Sequence, residues 1–297
     1  MLFSFVIVLV MCLLGLSGNV CGAQTLAKKA QRIVSLAPSV TETLFALGAG
    51  EHLTGICTFC DFPREVERIP RVGAYLTPNV EVIIAQAPDV VIGVPPNNPE
   101  ALAALRRAGL RVVVVEVDTI AQIETAIGTI AREIDREEAG VQLLADIHRK
   151  MSVIQTRLIG ASQRRVLMVV GQNPLIAVGS GIYLNELIER AHGVNIAAAT
   201  GLPWPQLSLE VAVATQPEVI IDSSMGSEEK DETQRLGMWR NFPELPAIRE
   251  GRLYNRRSYL LLRPGPRLAE GFEEIARFIH PECFSEARES PQAADSR

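Results

Sequence analysis

Short apolar runs rich in β-branched residues alternate with stretches of helical period along most of the chain. Arg32-Ile33-Val34-Ser35-Leu36 predicts a strand, Val40 to Leu47 a helix closed by Gly48, and Pro88 to Gly93 a second strand bounded by Pro and Gly. Pro99 to Ala108 follows as a helix with Gly109 at its C-terminal stop, and Arg111 to Val117 as the next strand. Strands that are apolar on both faces and separated by helices imply a parallel sheet covered on both sides. The predicted class is therefore α/β.

From Thr119 to Gly160 breakers become rare, and Val141, Leu144, Ile147, Met151, Ile154 and Leu158 recur at three- and four-residue spacing. The part from Asp135 to Ile159 alone makes roughly 37 Å of helix, enough to cross from one lobe to another. A second α/β series opens at Arg165 to Gly171 and ends near Pro281. These breaks divide the chain into an N-terminal lobe over 24–133, an interlobe helix over 134–161, a C-terminal lobe over 162–283 and a tail over 284–297. The tail is polar and rich in Ala, Ser and Glu, a composition that predicts disorder. The expectation is two Rossmann-like lobes with mostly parallel sheets and a ligand cleft between them.

One pattern recurs. Val80 to Ile92 matches Leu209 to Ile221 through helix, Pro, acid and buried strand, and in both copies a Glu, Glu81 or Glu210, precedes the Pro by seven positions. The copies lie 129 residues apart. Solenoid repeats are usually about 20–50 residues, so this period means two similar lobes.

The stretch Leu2 to Leu16 is almost unbroken apolar sequence, and no charge appears before Lys28. With the small-residue segment Ser17 to Ala23 after it, 1–23 predicts a signal peptide cleaved after Ala23, and hence an exported, periplasmic protein. The missing basic n-region leaves an uncleaved anchor open. Met11 before Cys12 and Val20 before Cys21 argue against lipid attachment, which wants a small residue there. Cys57, Cys60 and Cys283 remain after cleavage, an odd number that allows at most one internal disulfide.

Composition excludes more than it selects. With 29 Lys+Arg against 34 Asp+Glu the net charge is −5, which argues against a nucleic-acid partner, and 47% hydrophobic residues argue against a disordered chain. Aromatics are few, at 2 Trp, 4 Tyr and 9 Phe, so their placement carries information. Phe59, Phe62, Tyr75, Trp204 and Tyr259 fall in predicted loops rich in Pro, Gly and polar residues. Loops at the carboxyl ends of parallel strands form the crevice where open α/β sheets bind ligands, and flat side chains there suit a large, partly apolar molecule. Packing each loop onto its own lobe is the plainer use of the same rings.

Signatures of catalysis are thin. The four His, at 52, 148, 192 and 280, lack the paired spacing of a helical zinc site, and no Ser elbow, P-loop or dinucleotide fingerprint occurs. Gly179-Ser180-Gly181 is either an amide cradle for an anion or a plain turn. Cys57-Thr58-Phe59-Cys60 reads as half a zinc site, a redox pair, a loop disulfide or two free thiols.

Arg32 to Glu42, Cys60-Asp61-Phe62-Pro63, Asn79-Val80-Glu81 and Pro203-Trp204-Pro205-Gln206-Leu207-Ser208 together resemble the periplasmic substrate-binding proteins of cobalamin and iron-complex ABC importers. The similarity runs from about Arg32 to Pro281, and the Pro-Trp-Pro-Gln segment points to the cobalamin branch. The resemblance implies two α/β lobes joined by one rigid helix, a monomer with no catalytic residue, resident cofactor or metal site, and an ABC permease dimer as partner.

Position by position, the resemblance puts Phe59 where a tyrosine stacks on the corrin, Tyr75 where a tryptophan does, and Trp204 on a tryptophan. Arg263 matches an arginine, Tyr259 replaces an acidic residue, and Asn173 falls in a cleft loop whose neighbouring aromatic is absent. Glu81 and Glu210 match the exposed acids that dock on permease arginines. The phenols of Tyr75 and Tyr259 also suit iron, which keeps a ferric siderophore or haem receptor as the alternative. From another class, a bilobal metal chelatase or a CxxC oxidoreductase shares the architecture.

Overall fold

A computed structural model describes residues 30–224, 237–255 and 259–284. The expected signal peptide and the tail from 285 onward lie outside the described residues. In the first lobe, strands β1 (Ile33–Ser35), β2 (Leu53–Ile56), β3 (Val90–Gly93) and β4 (Val112–Val114) form an all-parallel sheet in the order β2-β1-β3-β4. Side chains alternate across it as the pleat requires: Ile33, Val90 and Ile92 enter one packing layer, Val34, Leu36 and Val91 the other. The helices α1 (Pro38–Ala46), α2 (Val80–Ala85) and α3 (Pro99–Arg107) connect the strands.

Two helices follow. Thr119 opens α4 (Ile120–Glu133) with a reciprocal capping box to Gln122, which satisfies two otherwise orphaned amides. The chain then reverses at Asp135, whose φ of 55° is left-handed, and Arg136 N donates to the Ala131 carbonyl at 2.8 Å. At Gly140 a Cβ would meet the Ala131 Cβ at 2.7 Å, so glycine allows the close crossing of α4 by α5 (Glu137–Arg157). The interlobe helix expected over 134–161 is this shorter α5, about 32 Å long.

In the second lobe, β5 (Arg164–Gln172) pairs along one edge first with β7 (Gly193–Asn195) and then, antiparallel, with β6 (Leu175–Ala177). Its other edge carries β8 (Val219–Asp222) and then β9 (Leu253–Asn255), both parallel. The order β7-β5-β8-β9 thus repeats that of the first sheet, with the β5–β6 hairpin as an addition. Around it lie α6 (Tyr183–Arg190), α7 (Leu209–Ala214), α8 (Pro246–Arg249) and α9 (Leu268–Ile279).

The repeat extends to individual hydrogen bonds. Arg32 at the start of the first sheet donates from Nε to the Ala87 carbonyl at 3.1 Å, and its amide donates to Asp89. Arg165 donates from Nε to the Gln216 carbonyl at 2.9 Å, and its amide to Glu218. Ala87 and Gln216 share left-handed backbone, with φ of 45° and 51°.

One apolar core runs through both lobes. Ile147, Met151 and Ile154 of α5 join Ile123 and Ile127 of α4, Ile33 and Ile92 of the first sheet, and Phe272 and Ile275 of α9 in a single buried cluster. A hinge would have to open that cluster, so the lobes sit as one packed body.

Candidate functional site

Four loops at the carboxyl edge of the first sheet and one loop of the second lobe enclose a cavity of about 340 Å³. This is within the ordinary range for small-molecule sites. The first lobe supplies Phe59 from the loop after β2, Tyr75 and Leu76 from the loop before α2, and Val94 and Val117 from beyond β3 and β4. The second lobe supplies Tyr259, Leu262 and Arg263 from the loop between β9 and α9. Phe59 and Tyr259 are largely exposed to the opening. Such rings gain most when a flat apolar face covers them.

Tyr75 is fixed from two sides. Its hydroxyl donates to the Pro95 carbonyl at 3.0 Å, and its own carbonyl accepts from the Asn97 amide. Asn97 is buried and also binds Leu36 O and Val94 N, so it ties the loops after β1 and β3 to the Tyr75 loop. Gly93 has no side chain because a Cβ there would stand 2.6 Å from Asn97 Oδ1. Burial pushes the Tyr75 phenol up to about 12, with Cys57 and Asp118 adding to the effect. Tyr75 is therefore a neutral ring at neutral pH.

Beneath the cavity the lobes are clamped by charge. Arg263, 7% exposed, donates from Nη1 to Glu42 and to Asp61 and from Nη2 to the Phe59 carbonyl at 3.2 Å. Arg267 binds both Glu42 oxygens at 2.8 Å, and the Glu42 side chain is only 2% exposed. The guanidinium groups also lie over rings, Arg263 at 4.9 Å from Tyr259 and Arg267 at 4.1 Å from Phe62. The hydrogen bond from Arg263 holds the Asp61 carboxyl below the usual carboxylate range. Two further bonds close the seam: Tyr183 N to Asp118 O, and Ile120 N to the Glu186 carboxylate.

Of the six residues expected at the ligand, Phe59, Tyr75, Tyr259 and Arg263 line this one cavity, and Arg263 does so with its charge already met by Glu42 and Asp61. Trp204 and Asn173 lie outside its lining. Trp204, 48% exposed, is carried by a loop whose Leu202 and Pro203 carbonyls accept from the Ser180 and Gly179 amides. Those two amides are thus committed to the backbone and are not turned to an anion. Asn173 stands exposed at the tip of the β5–β6 hairpin.

Cys57 and Cys60 are free thiols buried in the turn that carries Phe59, and neither lines the cavity. Among the described residues no group of three or more His, Cys, Asp and Glu comes together as a metal site. Glu81 and Glu210 take matching places, exposed at the second position of α2 and α7. Each helix is capped, by Asn79 accepting from Val82 N and by Ser208 accepting from Val211 N. Its own amide and the Ser208 hydroxyl hold the Glu210 carboxyl below the ordinary value.

Sequence reasoning missed Glu42, Asp61 and Arg267. A signal for them existed: Glu42 is a lone acid inside the otherwise uncharged Pro38–Ala46 helix, and Arg263 and Arg267 bracket a stiff Pro-Gly-Pro. It missed Leu76 and Leu262 because apolar loop residues have no periodicity to give them away.

A largely apolar cavity lined from two lobes has the form of a small-molecule site. A family model described as periplasmic binding protein matches residues 33–260, and the chain belongs to that family. The vitamin B12-binding protein of Vibrio cholerae is 28% identical over 252 residues, covering 84% of this chain and 89% of that protein. The crystal structure of the periplasmic vitamin B12 binding protein BtuF of Vibrio cholerae matches with a TM-score of 0.74 at 27% identity, covering 86% of this chain and 99% of that one. The periplasmic heme-binding protein RhuT of Roseiflexus sp. RS-1 matches with a TM-score of 0.77 at 25% identity, with the same coverage of both chains. Among the described residues no helix is long and apolar enough to cross a membrane.

Proposed function

We propose that the chain is exported to the periplasm and there captures a corrinoid, cobalamin or a close relative, in the interlobe cavity, then delivers it as a monomer to the permease dimer of an ABC importer. The observation that carries the ligand class is the chemistry of the cavity wall. It is aromatic and aliphatic, and Arg263, its cation among the described lining residues, is already neutralised by two carboxylates. An anionic chelate gains little from such a wall, whereas an uncharged macrocycle gains area and ring contacts. Each aromatic contact contributes on the order of 1 kcal/mol beyond area. On this reading Trp204 and Asn173, outside the cavity lining, meet the parts of a large ligand that project from the cavity. Glu81 and Glu210 are the docking acids, matched on two equivalent helices as a two-fold partner requires.

A haem or ferric-chelate receptor is the second reading, favoured by the likeness to a heme-binding protein and by two phenols at the cavity. The burial that keeps the Tyr75 phenol protonated weighs against it as an iron ligand. Titration of the mature chain with cyanocobalamin, haemin and a ferric siderophore by calorimetry separates the readings. The corrinoid is expected to bind at least tenfold tighter than the other two; tighter haemin binding with no heat from cyanocobalamin would overturn the assignment.

A further inference from the structure

The Cys57-Thr58-Phe59-Cys60 turn contributes Phe59 to the cavity, and its two thiols have no part in ligand binding as described above. Both are 1% exposed, with their Sγ atoms 2.8 Å apart. Thr41 Oγ1 lies 3.2 Å from Cys60 Sγ, and Arg71 Nη1 donates to the carbonyls of both cysteines. The hydrogen bond from Cys57 holds the Cys60 thiol below its ordinary value, with Thr41 and Arg71 adding, and the same bond together with burial pushes Cys57 up. Of the two, Cys60 is the thiol that loses its proton more readily and Cys57 the one that keeps it.

The position of this pair matters for the cleft. Between the two cysteines sits Phe59, whose ring lines the cavity and whose carbonyl accepts from Arg263. Immediately after them sits Asp61, the exposed half of the interlobe clamp. The turn therefore holds a cavity wall and one acceptor of a buried arginine between two thiols, with the second acceptor directly after them.

We propose that Cys57 and Cys60 are a thiol–disulfide exchange site whose oxidation state adjusts the ligand cleft, with a small disulfide as oxidant and a dithiol as reductant. The Cys60 thiolate attacks one sulfur of the external disulfide and expels one thiolate, leaving a mixed disulfide. Cys57 then gives up its proton and attacks Cys60 Sγ, expelling the second thiolate. The two departing thiolates take up the protons that Cys60 and Cys57 release. Two protein thiols are oxidised and one disulfide is reduced to two thiols. The new covalent bond replaces the thiol hydrogen bond and draws the ends of the turn together, and Phe59 and Asp61 move with it.

The test uses the ligand-free mature chain carrying Cys283→Ser, equilibrated across glutathione ratios, quenched with acid and alkylated with N-ethylmaleimide. The expected result is a form that takes up no alkylating agent and has lost the mass of two hydrogens, restored to two alkylated sites by dithiothreitol. Hydrogen exchange across 57–63 is expected to slow several-fold in the oxidised form. Complete alkylation in every buffer, or identical exchange in the two forms, would overturn the proposal. Its consequence for affinity rests on the corrinoid reading. Cyanocobalamin should bind the two forms with a several-fold difference that vanishes in Cys57→Ala/Cys60→Ala, and equal affinities would sink the link to the cleft. Absence of cyanocobalamin binding in both forms counts against the corrinoid assignment alone, because the mass and exchange readouts need no ligand.

Discussion

In both lobes an arginine at the start of the central strand reaches a left-handed residue that closes a short capped helix, Arg32 to Ala87 in one and Arg165 to Gln216 in the other. At the carboxyl edges the likeness stops. The first lobe sends four loops into the cavity, and the buried Asn97 ties the Tyr75 loop to the segments after β1 and β3. The second sends one, from Tyr259 to Pro264, and turns its longest strand back as the β5–β6 hairpin. There a buried Asp222, accepting from Gln172, Ser224 and Trp239, stiffens the sheet edge. Frame and rim answer to different demands. On the proposed function, a two-fold partner would keep matched helices matched, whereas a single asymmetric ligand would have no reason to see the same loop twice.

If the lobes are one body because of the clamp below the cavity, cutting it should be the costliest single change. Glu42→Ala leaves the buried Arg263 and the part-buried Arg267 without their shared acid and is expected to destabilise the fold by about 3–5 kcal/mol. Chemical denaturation measures this, and a loss below about 1 kcal/mol would show that the apolar core alone joins the lobes.

The asymmetry of the rim is open to the same treatment. Phe59→Ala should weaken corrinoid binding by about 1 kcal/mol, roughly fivefold. Trp204→Ala, outside the cavity lining, should weaken it less; the reverse order in calorimetric titrations would move the ligand toward the second lobe.

The likeness of the frames predicts equality. Asn79→Ala and Ser208→Ala each remove one helix cap and should each cost about 1 kcal/mol in thermal unfolding. Unequal losses would mean that the two matched helices are held by different means.

The smallest effect is one of pH. Because Arg263 lowers the folded-state value of Asp61 below that of the unfolded chain, their pairing stabilises the protein fully above about pH 4 and is lost as pH falls through the depressed value. Asp61 is 54% exposed, so solvent screens the pair and the contribution is small. Asp61→Asn should flatten the acid limb of the stability profile; an unchanged limb would place the acid sensitivity elsewhere.

The central strands β1, β3, β5 and β8 were readable in the sequence because the middle of each is buried on both faces, and runs such as Val90-Val91-Ile92 have no other use. The matched helices were readable because capping, an acid in the first turn and a following Pro are all local. The cavity was half readable: Phe59, Tyr75, Tyr259 and Arg263 stood out as loop aromatics and motif matches. The role of Arg263 did not, since its acid partner Glu42 lies 221 positions away. Trp204 matched a motif, yet its place outside the cavity lining follows from amides of another loop, at Gly179 and Ser180. Gly179 permits that approach because a Cβ would collide with the Leu202 carbonyl.

The amino-acid sequence by itself determined two α/β lobes, their order along the chain, the helix between them and the pair of equivalent acids. Each of these is written in periodicity, turn residues or caps, whose physics acts over a few neighbouring positions. Only the tertiary structure decided which loops close on one cavity, which cation is spent holding the lobes together, and that two thiols stand in contact beside a cavity-lining ring. Those facts are distances between parts of the chain far apart in sequence, and packing of the whole core sets them.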